Sequence, residues 1–302
     1  MHMADALISP AVGGTLWAVS GGLIVFCARK VKQSTRDNLV PLMGILGAFV
    51  FAAQMINFPV GFGTSGHLLG SALLVVTLGP AASAVVMTSI LVVQALIFQD
   101  GGVLALGANV FNMAVAGVLA AYLPYRIWSA GAFRNMAIFL GGFLSVMSVA
   151  ALAVAELLVS GIRMGTPVLG VSFGLFFVNA LLEGAITIAV VKSLESMRPD
   201  WVRAPDSSGR TVLASLAAAA ILLAVFGVLF ASADPDGLEK LAERAGISGH
   251  ARNLIVAPLA DYELQGAGWA WIRKAGAGLV GVAILTVAVL LLGRLIARRK
   301  DA

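Results

Sequence analysis

Apolar runs near residues 10–28, 40–57, 102–123, 135–160, 168–192, 211–231 and 276–297 dominate this chain. Each is long enough to cross about 30 Å of hydrocarbon as a helix. In lipid every backbone N–H and C=O needs a partner from the protein itself, and a helix supplies all of them locally. The pattern therefore predicts an all-α, polytopic transmembrane helix bundle. Composition agrees: 60% of the residues are hydrophobic and 12% are charged, against about 25% charge in soluble domains.

The stretch 68–98 is apolar throughout, with Gly79-Pro80 in its middle, so it reads as one long kinked helix or as two short spans. Charge decides between them. Arg29, Lys30, Lys32 and Arg36 follow the first run, Arg126 and Arg134 flank the loop 124–134, Lys192, Arg198, Arg203 and Arg210 fill the next, and Arg294, Arg298, Arg299 and Lys300 close the chain. All four groups fall on the cytoplasmic side only if 68–98 crosses twice. The expectation is about nine spans, seven plus two, with the N-terminus outside and the C-terminus inside. The net charge of +5 is thus a topology signal rather than a nucleic-acid signature.

Residues 193–210 are polar and rich in Pro, Asp and Ser, a break that reads as a cytoplasmic linker. It divides a first module, 1–195, from a second, 211–302, with 196–210 between them. The second module has two spans enclosing an external loop, 232–275. Asp234-Pro235-Asp236-Gly237 is turn chemistry leading into the amphipathic stretch Leu238-Glu-Lys-Leu-Ala-Glu-Arg244. The loop is too polar for lipid and too short for its own core, so a small cap leaning on the first module is expected.

Met1-His2 carries the chemistry. The N-terminus lacks the basic region and small-residue cleavage site of a signal peptide, so Met1 is expected to stay on the chain. The α-amine and the His2 amide nitrogen close a five-membered ring around a metal; that amide and the His2 Nδ1 close a six-membered one. Three coplanar nitrogens completed by a fourth imidazole suit square-planar Ni(II) or Co(II), and Cu(II) too. The predicted topology places His67, in Gly63-Thr64-Ser65-Gly66-His67, on the same face of the membrane. Against this stand plainer readings. A histidine after an initiator methionine arises by chance, and Thr64-Ser65-Gly66 is good helix-capping chemistry that would make His67 a capping residue. His250, in the external loop, reads as a solvated surface residue.

Other polar residues sit inside apolar runs. Asn109 and Asn112 lie three apart on one face of a span, fitted either for interhelical hydrogen bonds or for orienting His67 or His2. Glu183 is an intramembrane carboxylate expected to be paired within the bundle, and Glu156 lies where it could snorkel to the external surface. Met43, Met55, Met87, Met113 and Met147 are scattered, which favours core packing over a thioether copper relay. Gly21-Gly22, Ala116-Gly117 and Gly141-Gly142 would permit close helix contact. Cys27 is the only cysteine, which excludes an internal disulfide or a thiolate cluster. There is no Gly-x-x-x-x-Gly-Lys-Ser/Thr loop for ATP, no His-Glu-x-x-His and no Gly-x-Ser-x-Gly, so no hydrolase chemistry is indicated.

Several motifs recur together: Met1-His2, Ser9-Pro10, Gly63-Thr-Ser-Gly-His67-Leu-Leu-Gly70, Leu78-Gly-Pro80, Gln94-Ala-Leu-Ile-Phe-Gln-Asp-Gly-Gly102 and Leu106-Gly-Ala-Asn109-Val-Phe-Asn112-Met113. With them residues 1 to about 195 resemble the CbiM/NikM substrate-binding membrane subunits of energy-coupling-factor (ECF) transporters for cobalt and nickel. The second module is similar to the PDGLE-type (NikN-like) small subunit, fused here. The resemblance implies a metal site of the Met1 amine, the His2 amide and imidazole, and the His67 imidazole. The family continues Met-His-Ile-Pro-Asp-Gly where this chain has Met1-His2-Met3-Ala4-Asp5-Ala6, a departure that leaves the ligand atoms in place. It further implies a non-catalytic, multi-pass subunit of the bacterial inner membrane that takes up Ni(II) or Co(II) as transported substrate, with a modest tilt to nickel. Its partners would be a transmembrane coupling subunit, cytoplasmic ATPase subunits and the lipid bilayer, and no nucleic acid. Uptake should fail as pH falls through the imidazole range. The rivals are a stand-alone secondary transporter or channel for divalent metals, for which no relay of Asp, Glu or His crosses the spans, and a membrane metalloenzyme, which would need an open coordination position.

Overall fold

The computed structural model describes residues 2–33, 39–198, 201–202, 210–246, 256–266 and 268–297. Met1, Arg36, Arg203, His250 and the basic group 298–300 lie outside the described residues.

The chain is helical, as the apolar runs predict. Helix α1 (Pro10–Gln33) starts at Ser9-Pro10: the Ser9 hydroxyl accepts from the Val12 amide at 3.3 Å, and proline takes a position whose N–H would lack a helical partner. Then come α2 (Leu39–Gln54), a hairpin of β1 (Phe58–Gly61) and β2 (Thr64–Gly66), α3 (Ser71–Leu78) and α4 (Pro80–Val93), which runs on as a π-helical turn, Gln94–Phe98. Helix α5 (Leu106–Asn109) widens into a second π-helical stretch, Val110–Ala116, before α6 (Gly117–Trp128). Long helices α7 (Arg134–Val159) and α8 (Thr166–Met197) follow; α9 (Arg210–Phe226), the short α10 (Gly237–Arg244) and α11 (Ala270–Ala297) complete the fold.

Among the described residues, seven helices are long and apolar enough to span a membrane, and α2 is a shorter apolar helix of 16 residues. The stretch 68–98 does divide at Gly79-Pro80, and it leaves from and returns to the end of the bundle that carries His67 and Asp100. Gly79 has φ +81°, a turn open to glycine, and Pro80 starts the next helix. Yet α3 has 8 residues, about 12 Å of rise. The expected nine spans would therefore have to count both α2 and this short α3.

Small residues set the packing. A Cβ on Gly142 would lie 2.9 Å from the Gly184 Cα, so α7 and α8 touch backbone to backbone; Gly141 meets the Ala121 carbonyl in the same way. A Cβ added to Gly21 or Gly22 would meet nothing within 4 Å among the described residues, so no close packing within them calls for this pair. Helices α9 and α11 pack against α2, and α11 also against α4, so the second module is laid against the first. Within the predicted linker, Trp201 and Val202 are buried in the main core rather than solvated. At the end remote from the histidines, Arg134 of α7 pairs with Glu195 of α8 at 2.7 Å.

Candidate metal centre

The leading segment is tied down by its own backbone. The Asn109 side chain accepts from the Met3 amide at 2.9 Å and donates to the Met3 carbonyl at 3.2 Å. Gly102 N–H donates to that carbonyl too, at 2.9 Å, and the Asp5 carboxylate accepts from the amides of Leu104 (2.6 Å) and Ala105 (3.1 Å). Asp5 thereby docks the leading segment on the loop before α5. Gly102 is required here, because an added Cβ would collide with Asp5 Oδ1.

His67 follows β2, so Thr64-Ser65-Gly66 is a strand and not the helix cap that its composition also allowed. The loop is held from below by Glu183 of α8, whose two oxygens accept from the amides of Leu69 (2.7 Å) and Gly70 (2.9 Å). This intramembrane carboxylate is paired within the bundle, as expected, with backbone N–H groups at the start of α3. Gln54 of α2 donates to the Leu69 carbonyl at 2.8 Å and accepts from Gln94 at 2.9 Å, which locks α2, the loop and the π-helical turn together.

These anchors bring His2 and His67 face to face, with ring centroids 5.5 Å apart and planes within 5°. Both side chains are buried, at 5% exposure. The Leu68 carbonyl accepts from His67 Nδ1 at 3.0 Å, so the neutral ring carries its lone pair on Nε2. Burial, together with neighbouring positive charge, pushes the His67 imidazole down to about 3, and it is neutral across the physiological range. His2 Nδ1 lies 2.9 Å from Asp100 Oδ1, and His2 Nε2 is buried without a hydrogen-bond partner among the described residues.

Asn109 thus serves the leading segment through Met3 rather than through an imidazole. Asn112 turns elsewhere: its amide donates to Glu156 at 2.8 Å. The π-helical widening after Asn109 spreads residues that an α-helix would have kept on one face. Glu156 is accordingly buried and hydrogen-bonded, and does not snorkel to the surface.

Both rings open into a polar cavity of about 780 Å³. Among the described residues its walls carry six carboxylates, Asp100, Asp234, Asp236, Glu239, Glu243 and Asp261, against one lysine, Lys274. That field favours cations. Sequence reasoning missed Asp100, although it lies in the quoted Gln94–Gly102 run, at the end of a span where a carboxylate is costly. Burial pushes Asp100 up, but His2 and the hydrogen bonds of His2 and Tyr262 outweigh it and hold the carboxyl well below the usual range.

The cap predicted for the second module is present. Asp236 starts α10 with a capping box, accepting from the amides of Leu238 (2.7 Å) and Glu239 (2.9 Å) while Glu239 accepts from the Asp236 amide (2.9 Å). Asp236 Oδ2 lies 4.0 Å from His67 Nε2. Burial pushes Asp236 up, but positive charge at the pocket outweighs it and holds the carboxyl below its ordinary value.

Residues 2–201 match the family model described as the cobalt uptake substrate-specific transmembrane region, and residues 210–298 match the PDGLE domain. A chain of Archaeoglobus fulgidus that bears the name fused nickel transport protein NikMN is 34% identical over 300 residues, covering 97% of both chains. A cobalt transport protein CbiM of Geobacter sulfurreducens is 32% identical over 212 residues, 66% of this chain and 61% of its own. A crystal structure of a transition metal transporter superposes with a TM-score of 0.58 at 32% identity, over 65% of this chain and 93% of that one.

Proposed function

The chain belongs to the CbiM family of cobalt uptake transmembrane regions, with a PDGLE domain fused behind it, and on that premise we propose that it captures one Ni(II) or Co(II) for an ATP-driven ECF importer. It is a multi-pass membrane subunit of nickel and cobalt transport. The ion is its transported substrate. In our reading residues 1–195 form the metal-binding module, 196–210 a cytoplasmic linker and 211–302 the fused module, with the pocket facing outward across the inner membrane.

The observation that carries the reading is the meeting of His2 and His67, 65 positions apart in sequence, as parallel buried rings 5.5 Å apart in an acidic cavity. His67 offers the lone pair of Nε2, and His2 offers a ring nitrogen and a backbone amide. A chain that begins at Met1 adds its amine as the fourth nitrogen. Deprotonating an amide is costly, and ions with strong in-plane bonding repay it best, which selects Ni(II), Co(II) and Cu(II) over Mg(II) and Ca(II). Such a closed plane leaves no open position for catalysis. Energy would then come from a transmembrane coupling subunit and cytoplasmic ATPases, whose work reorients this subunit to release the ion inward.

The test is metal analysis of the purified chain by mass spectrometry with visible absorption, for the wild type, His2→Ala, His67→Ala and a form with one residue added before Met1. A planar nickel band in the wild type alone supports the site. Metal retained by either alanine variant, or by the extended form, refutes it. Uptake with and without ATPase subunits separates an importer subunit from a stand-alone transporter.

A further inference from the structure

Among the contacts of the fused module with the histidine pocket, two bear on the histidines' own segments. At the first, Ser65 of β2 donates its amide to the Pro235 carbonyl (2.9 Å) and its hydroxyl to the Asp234 carbonyl (2.7 Å). At the second, residues 257–262 cross the end of the π-helical turn after α4. There Ala257 N–H donates to Gln99 Oε1 at 3.1 Å, Leu259 N–H to the Ile97 carbonyl at 2.9 Å, and the Tyr262 hydroxyl to Asp100 Oδ2 at 2.5 Å. The Tyr262 ring is stacked on Phe98 with centroids 4.6 Å apart. The other oxygen of Asp100 holds His2 Nδ1. One carboxylate therefore joins a hydroxyl of the second module to an imidazole of the first.

The backbone on both sides of this bridge is strained. Gln99 has φ +60°, and Asp261 and Tyr262 each have φ +56°, the left-handed region that residues with a side chain seldom adopt. Such conformations persist where the surroundings over-determine them. Here the strain brings a tyrosine and an aspartate together beside a ligand.

The nitrogen that Asp100 holds is the one that the chelate needs. Only Nδ1 closes a six-membered ring with the amide of its own residue; Nε2 lies on the far side of the imidazole. We propose that Asp100 is a latch that holds His2 in a resting orientation, and that Tyr262 of the fused module governs its opening. The proposal rests on the four-nitrogen reading above. On capture the ring changes tautomer: the Nδ1–H bond breaks and its proton passes to water in the cavity, water returns a proton to Nε2 so that the imidazole stays neutral, and the freed Nδ1 lone pair forms the bond to the ion. Asp100 loses its partner at that moment, and the Tyr262 hydroxyl keeps the released carboxylate hydrogen-bonded. Asp100 and Tyr262 are positioning residues; neither touches the ion.

Ni(II) titration of the full chain in detergent, read by visible absorption, tests this in wild type, Asp100→Ala, Tyr262→Phe, the double variant and His2→Ala. Asp100→Ala should bind about tenfold tighter, because the latched population no longer taxes the affinity. Tyr262→Phe should bind about three- to tenfold weaker, since the freed carboxylate is left without its donor. In the Asp100→Ala background Tyr262→Phe should change nothing, and the absorption band should stay put in all three. Asp100→Asn, close in shape, should shift affinity in the same direction as alanine but less. Unchanged or weaker binding by Asp100→Ala and Asp100→Asn, a Tyr262→Phe effect that survives the loss of Asp100, or a moved band overturns the latch. Nickel bound normally by His2→Ala would instead overturn the four-nitrogen site itself.

Discussion

Asn109 grips Met3 by both ends of its amide, with the oxygen on the Met3 N–H at 2.9 Å and the nitrogen on the Met3 carbonyl at 3.2 Å. A side chain here does what a neighbouring β-strand would do, fixing the backbone one residue past His2. The position of that imidazole is thus set from a span more than a hundred residues away.

Asn109→Ala should therefore lower Ni(II) affinity about 10- to 100-fold, the usual effect of removing a group that orients a ligand. Asn112→Ala, whose partner is Glu156, should lower thermal stability while leaving affinity nearly unchanged. Equal affinity losses in the two variants would refute the distinction.

Gly102→Ala drives a methyl group into Asp5 Oδ1 and should push the leading segment off its dock. Metal binding should be lost with the helical circular dichroism intact. Gly131→Ala is the control, since an added Cβ there would meet nothing within 4 Å among the described residues.

Glu183 accepts two backbone amides under the His67 loop. Glu183→Gln keeps the volume and offers one acceptor in place of two, so it should destabilise the protein by about 1–3 kcal/mol and loosen the loop. Protection of the Leu69 and Gly70 amides in hydrogen exchange is the measurement, and unchanged protection would count against the anchoring role.

His67 sits near 3 when folded against an ordinary value of 6.5, with burial the main cause. The folded state therefore takes up its proton later than the unfolded one. Stability is unaffected by this group above pH 6.5 and falls as pH drops from 6.5 toward 3. With chelator present, the Tm of the wild type should fall more steeply between pH 6.5 and 5 than that of His67→Gln; parallel curves would contradict it.

Much of the architecture was legible. The long apolar runs foretold the helices, Gly79-Pro80 marked the break in 68–98, and the Asp234-Pro235-Asp236-Gly237 turn before an amphipathic stretch foretold the cap helix. Asn109 and Asn112 were open to two readings, and the structure gives Asn112 an interhelical hydrogen bond to Glu156 and Asn109 the Met3 backbone; the π-helical stretch that parts them has no signature in composition. Glu156 misled for a related reason, its partner Asn112 lying on another span.

Hydrophobic length and charge bias act locally along the chain, and so the sequence by itself determined a membrane bundle and singled out His2 and His67. Which nitrogen of His2 is held, by Asp100, and what holds Asp100 in turn, Tyr262, only the tertiary structure decided. Hydrogen bonds depend on distances of a few tenths of an ångström between groups far apart in sequence, and no local pattern encodes those.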